Sequence, residues 1–162
     1  MTPIAERLAV LSEEEVRRMR DKWFFKWHHI GGIHAVEIDN FRGDFIRYGG
    51  LVFDGTARLV YWDTITFYLR QEITKMFGIV EAALQKYPLE VRSKAITECE
   101  PIIHGFAGQI RNISVETDRI LRGDGINFPP RDETNNWVDS ESHSISRRSD
   151  GLREVYCIFP AS

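Results

Sequence analysis

Three histidines and two carboxylates fall within one stretch of twelve residues: His28, His29, His34, Glu37 and Asp39. Imidazole nitrogens and carboxylate oxygens are ligands that zinc and other first-row metals accept. Gly31-Gly32 lies between them and could fold the stretch back on itself. The spacing argues against a metal. HExxH is absent, and so is a Glu-x-x-His pair of the kind found in di-metal bundles. Adjacent residues on a helix project about 100° apart, so His28 and His29 cannot readily share an ion. Histidines near a helix C-terminus have a simpler reason to be there, the negative end of the helix dipole. No metal and no other cofactor is expected, and His28, His29 and His34 are the residues that would hold a metal.

Asp63 and Arg70 form a second constellation. On a helix they lie two turns apart on nearly the same face, at the edge of an apolar stripe. A partly buried charge needs a partner. The pair is read first as a structural ion pair or as links to neighbouring helices, and alternatively as the polar end of a ligand pocket lined by Trp62, Phe67 and Tyr68. With Glu37 and Asp39, these two residues are the catalytic candidates. A third cluster, residues 17–27 (RRMRDKWFFKW), mixes cations with rings. Trp23 and Trp27 belong to an apolar stripe, which leaves Arg18, Phe25 and His29 as candidates for binding a partner.

Other chemistry is missing. There is no GxSxG elbow, no GxxxxGK[ST] and no GxGxxG. Cys99 falls in a core arc, where a thiol is a packing group. Arg-Gly-Asp occurs at 42–44 and 122–124, where turn and cap chemistry explains it. No motif assigns a reaction.

The elements that must position these residues are mostly helical. Ser12 and Glu15 form a capping box, and Val16, Met19, Trp23, Trp27 and Ile30 make one stripe, so a helix is expected over 12–30, ended by Gly31-Gly32. Residues 4–11 are expected to form a separate short helix. Residues 33–55 are punctuated by Gly43, Gly49-Gly50 and Gly55, and predict a β-hairpin or folded loop from runs such as HAVEI and LVF. A second long helix is expected over 56–87, with Leu59, Trp62, Ile65, Leu69, Ile73, Met76, Val80, Ala83 and Tyr87 at alternating steps of three and four. Its 59–69 half is apolar nearly all round, which predicts the centre of the fold or a subunit interface. A third helix is expected over 89–122. Pro101 falls on the polar face of its wheel, so the helix continues past it. Residues 124–150 are polar and predict a C-terminal loop, pinned by Phe128 and Trp137, with residues 154–159 docking back as a strand or turn.

The fold class expected is mainly α: an elongated bundle of three long helices with a small glycine-rich insert, in one domain over residues 1–162. At 1.5 Å per residue, 59–87 and 89–122 would span about 44 and 51 Å. A compact chain of this size is roughly 40 Å across. That mismatch points to a homodimer.

Composition bounds the rest. The chain is 43% hydrophobic and 28% charged with a net charge of −3, ordinary for a soluble globular protein and unsuited to general nucleic-acid binding. Two cysteines are too few for a disulfide framework, and no run approaches the length of a membrane span. The expectation is a cytoplasmic, non-enzymatic interaction or regulatory protein that self-associates through aromatic helical surface. The alternative is a small enzyme or ligand-binding protein with its site between the first two long helices.

Overall fold

The computed structural model describes residues 1–123 and 132–158, with the backbone alone for 132–139. The chain is mainly α. It contains α1 (Pro3–Arg18), a π-helical turn (Met19–Phe24) running into α2 (Phe25–Trp27), strands β1 (Val36–Asp39) and β2 (Phe45–Tyr48), and the long helices α3 (Gly55–Lys86), α4 (Leu89–Arg122) and α5 (Asp132–Tyr156). α4 is the central element, packed against α1, α3 and α5, whereas α1 and α3 touch each other far less. Among the described residues no helix is long and apolar enough to cross a membrane.

The first helix begins earlier than its capping box suggests. Thr2 is extended and Pro3 opens the helix, the position where a fixed φ and a missing N–H cost nothing. Ser12 is buried in mid-helix rather than capping it. The reason is a longer stripe: Ile4, Leu8, Ser12, Val16, Met19, Trp23 and Trp27 are all buried. Most of its steps are four residues, and each overshoots a 3.6-residue turn by about 40°. The π turn absorbs the drift, and the Phe25 N–H reaches back five residues to the Arg20 carbonyl. It also turns Phe24 inward beside Trp23, leaving both at most 3% exposed.

The insert contains the hairpin. β1 and β2 are antiparallel, with Val36 opposite Tyr48 and Asp39 opposite Phe45. The second strand is FIRY, and the expected LVF run lies outside it. The turn is built by side chains. The Asp39 carboxylate accepts the Phe41 N–H at 2.7 Å, and the Asn40 side-chain oxygen accepts those of Arg42 and Asp44. Phe41 and Gly43 take positive φ. The Trp23 indole donates to the Asp39 carbonyl at 2.8 Å and fastens the hairpin to the π turn.

The first half of α3 is the aromatic centre. Tyr61 is fully buried, with Trp23, Trp27, Phe53 and Trp62 all within 5.7 Å between ring centroids. These are the offset and edge-on geometries that rings prefer. Leu59, placed on the stripe by its spacing, is 46% exposed. α4 runs through Pro101, which is exposed on its outer face, to the cap at Gly123. Two tethers join the helices. The Tyr61 hydroxyl donates to the Ser114 carbonyl at 2.6 Å. Buried Asp118 accepts Arg58 Nε at 2.8 Å and Trp62 Nε1 at 3.1 Å, and forms an ion pair with Arg122, Nε to carboxylate at 2.7 Å.

The polar C-terminal loop is corrected. Of residues 124–150, 124–131 lie outside the described residues, and from Asp132 the chain is helical. Glu141, Ile145 and Ser149 are buried and Leu152 and Tyr156 half-buried, at steps of 4, 4, 3 and 4. This stripe is hard to see because two of its five members are polar. Of residues 154–159, expected to dock back as a strand or turn, 154–156 are the end of that helix and Phe159 lies outside the described residues: Arg92 donates to the Tyr156 carbonyl, and the Tyr156 hydroxyl donates to Glu81 at 2.6 Å. Phe128 and the Trp137 side chain, expected to pin the loop, lie outside the described residues.

Candidate functional site in the seam between α1 and α3

Because α4 takes most of the contact from both α1 and α3, the seam between those two stays open. α1 sends Leu11, Glu14, Glu15 and Arg18 along one side, and α3 sends Tyr68, Glu72, Lys75, Met76 and Ile79 along the facing side, both at helical spacing. All but Tyr68 line a cleft of about 230 Å³. A second cleft of about 520 Å³ shares Lys75 and Ile79 and extends to Pro3, Ile4, Arg7, Lys86 and Tyr87. Together they make one trough.

The polar end is organised around Glu15. Its carboxylate accepts Arg18 Nε at 3.1 Å and the Tyr68 hydroxyl. Burial works to raise this carboxyl, but the hydrogen bonds from Arg18 and Tyr68 and the charges of Arg18 and Lys75 outweigh it, holding Glu15 below the usual carboxylate range. Glu72 goes the other way: burial and then the charge of Glu15 push it up, against Lys75 and Arg18. Glu72 makes no hydrogen bond to the described residues. Burial and Glu15 raise the Tyr68 hydroxyl, which stays a donor.

The other end is basic. Arg7, Lys75 and Lys86 are the charged residues lining the larger cleft, over an apolar floor that includes Ile4, Ile79 and Ala83. None of the three cations has an ion pair among the described residues. Gly78 is exposed in mid-helix, and a Cβ added there would meet nothing within 4 Å.

The residues singled out by sequence are dispersed. His28, His29 and His34 are exposed, and no group of three His, Cys, Asp or Glu side chains among the described residues could hold a metal ion. Glu37 is exposed on β1 opposite Arg47, and Asp39 builds the hairpin turn. Asp63 is exposed. Arg70 does not pair with it but with buried Glu141 of α5, Nε to carboxylate at 3.0 Å. Phe25 is 56% exposed with its ring edge-on to His29, and Arg18 is engaged with Glu15. Trp62, Phe67 and Tyr68 reach different partners. Trp62 donates to Asp118, Phe67 lies under the Arg42 guanidinium at 4.3 Å, and Tyr68 reaches the seam.

Sequence reasoning missed Glu72, Lys75 and the Arg7–Lys86 end, and read Glu15 as a cap. Their signal is slight: charged residues beside stripe positions on two helices, meaningful only once α1 and α3 are known to face each other. Comparison with protein-family models, with curated proteins and with solved structures finds no match to this chain. Fold and site together define a helical bundle with an open, charge-polarised seam between α1 and α3.

Proposed function

We propose that the protein is a non-enzymatic interaction protein that receives a segment of a partner in the α1–α3 trough. The observation that supports this reading is the trough itself: two clefts joined through Lys75 and Ile79 along α1, with an apolar floor and charged rims. The aromatic face of α3 no longer supplies the recognition surface, because Tyr61, Trp62 and Tyr68 are buried within their own chain. A cytoplasmic setting agrees with two unbridged cysteines. A homodimer has its best surface at the glycine-rich insert, where Ile33, Leu51 and Val52 are exposed, and light scattering reads it directly.

The test is site-specific photocrosslinking. A photoreactive residue at Ala82, in the trough, should give a discrete protein adduct in cells, and the purified adduct partner should rebind in vitro. The same group at Thr97, exposed on α4, should not. Equal labelling from both positions would overturn the reading.

A second reading is favoured by Glu72. A half-buried carboxyl with no hydrogen-bond partner among the described residues, beside a cleft of about 230 Å³, suits a small ligand carrying a donor. Ligand-dependent stabilisation of the native chain that is lost in Glu72→Gln would support it, and unchanged stabilisation in that variant would sink it.

A further inference from the structure

The reading that a partner segment occupies the seam leaves its chemistry open, and the lining of the trough constrains it. Resting on that reading, we infer that the occupant is an amphipathic helix of about sixteen residues whose apolar stripe covers the floor and whose acidic flank meets Arg7, Lys75 and Lys86.

Length comes first. The trough follows α1 from Pro3 to Arg18, about 23 Å at 1.5 Å per residue, which a helix of four to five turns matches. Shape comes second. Gly78 and Ala82 are exposed and small, so nothing stands between an incoming backbone and the floor at Ile79. An open trough leaves one side of any occupant in water. A helix meets that condition with a polar outer face and satisfies its own backbone hydrogen bonds. An aliphatic chain would leave half its length exposed.

Charge comes third. Every charged residue lining the larger cleft is a cation, and Arg7 and Lys86 are exposed without an ion pair among the described residues. An acidic flank supplies the missing counter-charge, and a basic one would be repelled. The smaller cleft carries Glu14, Glu15 and Glu72 against Arg18 and Lys75. Acid on the occupant therefore belongs at the Pro3–Tyr87 end, which fixes one orientation. The chain's own residues 124–131, DGINFPPR, contain two prolines and one acid, and do not suit the role.

Three fluorescein-labelled sixteen-residue peptides test this. Each carries leucine at positions 2, 6, 9 and 13, with flanking positions filled by Glu, Gln or Lys. Fluorescence anisotropy against the full chain should show the Glu peptide binding at least tenfold tighter than the Gln peptide, and the Lys peptide weakest. Added salt should narrow the gap. Arg7→Glu with Lys86→Glu, both at exposed and unpaired positions, should reverse the order while leaving the circular dichroism unchanged. Gly78→Trp should abolish binding of all three. Equal binding of the three peptides would overturn the acidic occupant and leave a charge-blind trough that still receives a segment. No binding by any of them, together with an empty crosslink at Ala82, would overturn both. A dimer that Gly78→Trp dissociates would replace the partner with a second copy of this chain.

Discussion

The Tyr68 hydroxyl of α3 donates to the Glu15 carboxylate of α1, making a direct polar link across the open seam. Tyr68 is 2% exposed, so little water can take the place of Glu15 as acceptor. Tyr68→Phe removes the link and leaves Glu15 with Arg18 alone. The expected loss is about 1–2 kcal/mol, read by urea denaturation. Glu15→Ala combined with Tyr68→Phe should cost less than the sum of the single changes, because both remove the same bond. Strict additivity would show that the two groups are not coupled.

Glu72 gives a pH signature of defined sign. Its folded pKa is raised, so between the unfolded and folded values the native state binds more protons, and stability falls as pH rises through that window. Glu15, with its pKa depressed, acts oppositely: its contribution is present above the unfolded value and lost as pH falls through the folded one. Glu72→Gln should therefore raise the melting temperature at pH 7, and the gain should vanish as pH drops below the ordinary carboxylate range. A lower melting temperature at pH 7 would mean that Glu72 holds the fold together as an anion.

Asp118 is 3% exposed and faces two arginines, Arg58 and Arg122, whose side chains are themselves 13% and 16% exposed. Removing the carboxylate takes away the anion that Arg58 and Arg122 pair with and the acceptor of the Trp62 indole N–H. Asp118→Ala should cost about 3–5 kcal/mol, and Asp118→Asn less, since it keeps an acceptor. Thermal and chemical unfolding read both. Equal, small effects would mean that the arginines reach water at no cost.

Gly78 is the converse case. It lies exposed in the middle of a 32-residue helix, and an added methyl would touch nothing. Gly78→Ala should stabilise the isolated chain by roughly 0.5–1 kcal/mol through helix propensity alone. No gain would show strain at that position.

The long helices were legible because their stripes are apolar and regular. Leu89–Arg122 matches its expected span, and Pro101 sits outside as the wheel requires. α5 was not, because Glu141 and Ser149 occupy buried positions where polarity suggested a loop. The sequence expectation put a site between the first two long helices, but on residues other than those that line the seam. Its members could not be chosen from the sequence, because which side of α1 meets α3 depends on how α4 holds them both. For Asp63 and Arg70, of the two structural readings it is the link to a neighbouring helix that holds for the arginine: similar angular positions on one helix imply nothing about pairing when α5 brings Glu141 to Arg70.

The π-helical turn at Met19–Phe24 has a genetic consequence. A π turn is equivalent to one residue inserted into an α-helix, so this segment carries a surplus codon's worth of chain. Deleting a single exposed residue there, such as Lys22, would relax the turn to ordinary helix without breaking it. Were the undeleted segment wound as plain α-helix instead, everything upstream would rotate by about 100°, turning Glu15 and Arg7 away from α3 together; the deletion leaves them in phase. The whole seam, from the Tyr68 link to the cationic end, is thus kept in phase by a turn that takes up one extra residue.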